Sequence, residues 1–387
     1  MRLLLVTEEV NCGGAELSFF ALCRALASRS SVHLALSAAS LKNPTILRLS
    51  ESLQDTSIKL HRCRTPLNPG TFANLHRALR RPAARELAGL IAAVRPDAVV
   101  ANLPTVERGQ AVIDAADLSE PRPSVWGFLH LAQEPSTIGA KLGKLRDLMV
   151  PRLLRRFDGL LTVSTAGARD ISARYEMSAP EVLHPPTVTV QPSASPADRR
   201  SRRAAEGLPD RFLLGIVGRV QVHHKGHDAA LRLTRHLLDG GLPVHLVVVG
   251  DGPDSAVVRR LAGELRLSSH VSFMGWREDA ANLIPLLSAL IMPSRYEGMP
   301  LVALQAAAAR VPVVGYAVDG LAELLPGEFT VPAGDEAALA DAVAGLVGGG
   351  LRWPEEELAD RARTWADPGN AAERLLMILR SRVPTRS

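Results

Sequence analysis

Short, unbroken apolar runs separated by stretches of helical period organise this chain. Leu3–Thr7, Val32–Ser37, Ile58–Arg62, Ala98–Asn102, Val125–His130 and Leu160–Val163 have strand length and little polar alternation. A strand covered by helices on both faces reads this way, whereas a strand with one wet face alternates. Segments of helical period lie between them, such as Ala15–Ala27 and Ala83–Val94. The rhythm breaks at His184-Pro185-Pro186-Thr187 and on through Pro192 and Pro196, prolines with no strand or helix to serve, which reads as a linker. It then restarts. Strands at Phe212–Val217, Val244–Val249, Val271–Met274, Leu290–Pro293 and Val311–Gly315 alternate with helices at Gly226–Leu238, Asp254–Leu265, Pro300–Ala309 and Glu336–Val347. The expected fold class is α/β, with two Rossmann-like, doubly wound parallel-sheet domains, 1–186 and 187–366. The segment 367–387 carries an amphipathic helix, with Leu375, Leu376, Ile378 and Leu379 apolar, expected to cross back to the first domain. Ligands of open α/β sheets bind beyond the carboxyl ends of the strands, so two such domains facing each other enclose one central cleft.

With 387 residues, 47% of them hydrophobic, the chain can bury two substantial cores and is not a disordered polymer. Its 4% aromatic content disfavours an all-β protein or a stacking platform for nucleic acid, and no nucleic-acid partner is expected. The N-terminal apolar run turns polar at Glu8-Glu9 after one strand length, so it reads as a core strand rather than a signal peptide. No run is long enough to span a bilayer. Cys12, Cys23 and Cys63 are odd in number and lack metal-ligand spacing, the pattern of reduced thiols, and a cytoplasmic location is expected. Cys12 in its glycine loop is either a reactive thiol or a small residue in a tight turn. The net charge of +5 comes mostly from arginine, clustered at Arg77, Arg80, Arg81 and Arg85, at Arg152, Arg155 and Arg156, and at Arg199, Arg200, Arg202 and Arg203. These clusters read as solvated helix faces or linker, or alternatively as surfaces for phosphate-rich or membrane partners.

The most informative run is Pro293-Ser294-Arg295-Tyr296-Glu297-Gly298-Met299-Pro300-Leu301-Val302-Ala303-Leu304-Gln305. It reads as a strand end, a polar turn and the start of a helix. Free N–H groups and the dipole there favour an anion, and Glu297 and Gln305 stand ready for hydroxyl groups. Phosphate beside sugar is the composition of a nucleotide-sugar. Upstream, Gly218 permits a tight turn after a strand, and Arg219 and Lys225 follow on one loop. A diphosphate needs such cations, the guanidinium as a planar fork and the ammonium as a point charge. Gly250-Asp251-Gly252 follows the next strand and Phe273-Met274-Gly275-Trp276 the one after, either as ligand contacts or as strand caps and core.

Taken in order, Gly218-Arg219, Lys225-Gly226, Gly250-Asp251-Gly252, Phe273-Met274-Gly275, Pro293-Ser294 with Glu297-Gly298, and Pro312-Val313-Val314 resemble the second domain of glycosyltransferase family 4, retaining enzymes of the GT-B fold. Gly13-Gly14-Ala15-Glu16 is similar to that family's glycine loop, and His130 falls where the family keeps a histidine beside the transferred sugar. The resemblance implies that Arg219 and Lys225 bind the donor diphosphate, completed by backbone N–H groups at Met299, Leu301 and Val302 after Gly298. It further implies that Met274 contacts the base, Glu297 the sugar hydroxyls and residue 305 the ribose, with Gly14 admitting sugar or acceptor. The family usually has a carboxylate where this chain has Gln305, and an amide accepts one hydrogen bond and donates one where a carboxylate accepts both.

The implied reaction moves a hexosyl group, N-acetylglucosamine or glucose, from a UDP-sugar to an acceptor hydroxyl with retention. No close carboxylate pair of the retaining-hydrolase kind stands out. No Asp-x-Asp metal motif occurs either, so metal-independent activity with the nucleotide-sugar as co-substrate, and no further cofactor, is expected. Glu8, Glu9, Gly13, Glu16, Glu107 and Glu134 fall in or near first-domain loops at strand ends, as an acceptor pocket for a cationic polyol or as ordinary loop glutamates. The first-domain wording, Thr7 to Ser18 and Asn102 to Gly109, also resembles the actinobacterial transferases that glycosylate 2-deoxystreptamine in aminoglycoside antibiotic pathways. The rival acceptor is a membrane lipid, met through Arg77–Arg85 and Lys141–Arg156. A non-catalytic nucleotide-sugar-binding protein and a nucleotide-sugar epimerase are the remaining alternatives.

Overall fold

The structure, a computed structural model, describes residues 1–68, 77–188, 190–192 and 195–383. The Arg77 side chain lies outside the described set. The chain forms two compact units, Met1–Thr187 with Asp367–Ser387, and Val188–Ala366.

The first unit is built on strands β1 (Arg2–Thr7), β2 (Ser31–Ser37), β3 (Lys59–Cys63), β4 (Ala98–Leu103), β5 (Ser124–Leu129), β6 (Gly159–Thr162) and β7 (Glu181–Val182). They pair in the order β3-β2-β1-β4-β5-β6-β7, all parallel. Leu5 sits opposite Leu34 on one side and Val100 on the other, so the centre of the sheet is aliphatic in both directions. Leu3, Leu4 and Leu5 are completely buried, which is why β1 shows no polar alternation. The helix Pro368–Arg382 packs against the helix Gly14–Leu26, burying Leu375 and Leu379. Ion pairs Arg29–Glu373 and Arg374–Glu181 tie it to the same unit.

The second unit has β8 (Phe212–Val217), β9 (Val244–Val249), β10 (Val271–Gly275), β11 (Ala289–Met292), β12 (Val313–Tyr316) and β13 (Thr330–Val331), ordered β10-β9-β8-β11-β12-β13 and again parallel. In each sheet the strand order reverses once, between β1 and β4 and between β8 and β11. A crevice opens at such a reversal because the connections on its two sides leave toward opposite faces.

Two sequence expectations are corrected. Pro196 does serve a helix: it opens Pro196–Ala205, where the Ser195 hydroxyl accepts from the Asp198 amide. Nor are the arginine clusters uniformly solvated. Arg203 is buried, donating to the carbonyls of Leu286 and Arg211 and to the Ser288 hydroxyl. Arg80 is buried against Asp114, which also accepts from Arg156. These guanidiniums replace water with fixed acceptors inside the fold.

Candidate active site

At the reversal point of the second sheet, the loop after β8 (218–226) meets the loop after β11 (293–300). Three contacts first lash the β8 loop to its neighbour after β9. The Gly218 amide donates to the Val249 carbonyl at 2.9 Å, the Val220 amide to the Asp251 carbonyl at 3.0 Å, and the Val222 amide to Asp254 Oδ2 at 2.7 Å. Gly250, at φ +137°, lets the two loops touch: a Cβ there would lie 1.9 Å from the Gly218 carbonyl oxygen.

The β8 loop is then fastened to the β11 loop. The Arg295 amide donates to the His224 carbonyl at 2.8 Å. The His224 ring stacks on Tyr296 with centroids 4.2 Å apart, and its Nε2 lies 3.0 Å from the Tyr296 carbonyl. Burial, with the Lys225 charge beside it, pushes His224 down to about 4, so the ring is neutral at pH 7. A carbonyl only accepts, so Nε2 carries the proton. These contacts deliver Lys225 Nζ to Glu297 Oε1 at 2.6 Å. Burial works to raise the Glu297 carboxyl, but the Lys225 ammonium, with the Ser294 hydroxyl, outweighs it and holds the group below its ordinary value. Arg219 stands exposed on the same loop, close enough for its charge to act on His224.

The helix Leu301–Ala308 begins just after Glu297-Gly298-Met299, with Pro300 at its N-terminal boundary and no side-chain cap. Its first inward donors are the amides of Ala303 and Leu304, both to the Pro300 carbonyl. The amides of Leu301 and Val302 precede the first intrahelical bond, so that helix end presents donors. The loop after β12 braces the turn from behind: Asp319 Oδ2 lies 3.4 Å from the Glu297 amide, and the Gly320 amide donates to the Gly298 carbonyl at 2.8 Å. Gln305, within that helix, donates from Nε2 to the Val188 carbonyl at 3.4 Å. Met274 is half-buried at the end of β10, and the adjoining Gly275 carbonyl accepts from the Gly250 amide at 2.7 Å. The structure thus gathers Lys225, Glu297, Gly218, Gly298 and the start of the helix at one place, with Arg219 at its rim. His224, Tyr296 and Asp319 were not singled out in the sequence. The adjacent His223-His224-Lys225 was the available signal for the first, the place of Tyr296 inside the run Pro293–Gln305 the signal for the second, and nothing local marked Asp319.

In the first unit Glu8, Glu9, Glu16 and Glu107 lie around the reversal between β1 and β4, and Glu134 follows β5. Glu8 Oε2 accepts from the Gly109 amide at 3.0 Å, and Glu9 Oε1 lies 2.9 Å from Arg108 Nε. Glu107 takes both arms of Arg146, with Nε at 2.6 Å from Oε1 and the second arm on Oε2. Glu16 reaches back to the Gly13 amide at 2.9 Å and accepts from Asn102 Nδ2 at 3.3 Å, fixing the glycine loop ahead of Gly14. Glu134 accepts from the Tyr175 hydroxyl at 3.4 Å. His130 follows β5, its amide on the Leu103 carbonyl and its ring 4.4 Å from that of Phe128. Part of the residue reaches solvent, but Nε2 is buried without a protein partner, and burial pushes the imidazole down to about 3.

Comparison with known proteins follows the same division. The family described as "Glycosyl transferase 4-like domain" matches residues 13–187, and "Glycosyl transferases group 1" matches residues 211–348. A 2-deoxystreptamine glucosyltransferase from Streptomyces kanamyceticus is 30% identical over 177 residues, 44% of this chain and 45% of that one. A D-inositol 3-phosphate glycosyltransferase from Mycolicibacterium paratuberculosis is 36% identical over 183 residues, 44% of this chain and 39% of that one. The matches span less than two thirds of the length of the curated relatives. Among solved structures, the Anabaena protein HepE in complex with UDP and glucose superposes with a TM-score of 0.76 at 19% identity, covering 98% of this chain and 100% of that one. With both halves matched in order and the fold shared along the chain, this protein belongs to the GT-B glycosyltransferases that join a glycosyl transferase 4-like domain to a group 1 domain.

Proposed function

We propose that this chain is a retaining hexosyltransferase that moves glucose or N-acetylglucosamine from a UDP-sugar to a hydroxyl of a small polar aminocyclitol, with 2-deoxystreptamine the best candidate. The observation that carries the reading is the Lys225–Glu297 pair beside an uncapped helix start at the reversal point of the second sheet. Lys225 spends one of its three N–H donors on Glu297 and keeps two for phosphate oxygens. Arg219 and the amides of Met299, Leu301 and Val302 add to the diphosphate site, and Glu297 Oε2 serves a sugar hydroxyl. Met274 borders the base, Gln305 the ribose, and Gly14 and His130 the transferred sugar. As the glycosidic bond breaks, the cations and the helix end take up the charge on the departing phosphate, whose oxygen receives the acceptor proton on the same face. Bound UDP in the structural relative and the acceptor named for the Streptomyces relative support the choice of substrates. The reaction is proposed to need no metal and to take place in the cytoplasm.

Mass spectrometry of products from a panel of UDP-sugars with 2-deoxystreptamine tests this. One added hexosyl residue, α-linked by NMR and formed equally in EDTA, is the expected result. No product from any donor that binds rejects the reading. A lipid acceptor is the second reading, favoured by the exposed Leu142, Leu145 and Leu148 beside Lys141 and Lys144. Flotation on anionic vesicles separates the two, since an enzyme for a soluble acceptor stays unbound.

Gln305→Glu is expected to retain or tighten UDP affinity in calorimetry, because a carboxylate accepts from both ribose hydroxyls. The same change removes the donor to the Val188 carbonyl, at about 1 kcal/mol in stability. Weaker UDP binding from a folded variant would remove residue 305 from the ribose site.

A further inference from the structure

The carboxylates around the first sheet are not equivalent. Glu16 and Glu107 are engaged by the glycine loop with Asn102 and by Arg146; Glu9 Oε1, also buried without a hydrogen-bond partner, is paired in charge with Arg108 Nε at 2.9 Å; and Glu134 takes a long bond from Tyr175. Glu8 differs. Its Oε2 is fixed by the Gly109 amide, while Oε1 is buried with no protein partner, in a residue only 5% exposed. Leaving a buried carboxylate oxygen without a donor is costly, and such atoms concentrate where a ligand completes the site. Glu8 lies where the loops after β1 and β4 part, the place at which an open sheet takes its ligand.

We infer that Glu8 is the residue by which this chain selects an acceptor carrying an ammonium group, with Oε1 receiving an N–H of that ammonium. This deepens the aminocyclitol reading and rests on it. The groups acting on Glu8 are few. Burial raises the carboxyl most, the Gly109 amide and the Arg108 guanidinium lower it, Glu9 raises it, and the Ala111 amide lowers it, for a net value of about 7. Near neutral pH the empty site is therefore divided between acid and carboxylate. An arriving ammonium favours the carboxylate and expels its proton to solvent; an uncharged hydroxyl has no such effect.

The test is calorimetric titration, in the presence of UDP, with 2-deoxystreptamine and with uncharged scyllo-inositol, in two buffers of different ionisation enthalpy. At about pH 8 the native chain is expected to prefer the amine by about tenfold or more, the size of one charge-assisted hydrogen bond. At about pH 6 the preference shrinks and binding releases up to about one proton. Glu8→Gln keeps the shape and a carbonyl for the Gly109 amide. It is expected to lose both the preference and the proton release, with UDP affinity and melting temperature unchanged. If Glu8→Gln keeps the preference, the role of Glu8 is overturned and the transferase reading stands. If the native chain shows no preference while still transferring sugar to another acceptor, the ammonium specificity falls together with the aminocyclitol assignment.

Discussion

Lys225→Ala is expected to lower kcat at least tenfold, toward the ~10²–10³ typical of losing one preorganised contact to developing charge. A second signature separates this from simple unfolding. Glu297 is nearly buried, its side chain 7% exposed, and Lys225 is its partner. Removing one member of such a pair costs about 3–5 kcal/mol unless the survivor takes up a proton. In the native chain the Glu297 carboxyl is held below its ordinary value. Its contribution to stability is therefore complete above the unfolded pKa of about 4.3 and is lost as pH falls through the folded value. In Lys225→Ala that acid-side loss should vanish, because the largest lowering influence is gone and burial, opposed chiefly by the Ser294 hydroxyl, raises the carboxyl. Adding Glu297→Gln should recover most of the stability and none of the turnover. Urea denaturation across pH, run beside single-turnover kinetics, reads both. Near-native turnover in the single variant would remove Lys225 from the proposed donor site.

Gly226→Ala is expected to cost about 3 kcal/mol or more and to take most of the activity with it. Two terms add. The residue sits at φ +69°, which costs an alanine about 1–2 kcal/mol. A Cβ would also lie 2.0 Å from the Pro293 carbonyl oxygen, so the β8 and β11 loops must separate. Lys225 and Glu297 lie on those two loops, and the displacement reaches the pair directly. Gly207 supplies the control: it has φ +67° with nothing within 4 Å of a Cβ, so Gly207→Ala should show the backbone term alone. Equal losses of stability in the two variants would mean that the close approach at Pro293 matters little.

The fold was readable where burial left an uninterrupted apolar run. Phe212–Val217 and Val244–Val249 match β8 and β9 because both faces of each strand are covered. The strands Glu181–Val182 and Thr330–Val331 are two residues long and leave no periodicity to detect. In the site, the glycines and the cations of the β8 loop were visible as types in a pattern. That Lys225 reaches Glu297, 72 positions away, was not, because it depends on β11 pairing directly with β8. The acidic loops of the first unit mislead in the opposite way. Read along the chain, Glu9 and Glu107 look like free charges, yet Arg108 and Arg146 neutralise them. Partners from separate loops meet only after the sheet has assembled.

Because the chain leaves the first unit at Thr187 and rejoins it at Asp367, the second unit is an insert with two junctions rather than one half of a tandem. The unit 188–366 can therefore be exchanged as a cassette between relatives without cutting through either core, provided both junctions are kept. Deletion from the other end has the opposite effect. Ending the chain before Pro368 strips Leu375 and Leu379 from the helix Gly14–Leu26 and so erodes the unit built on β1 to β7, while the insert stays whole.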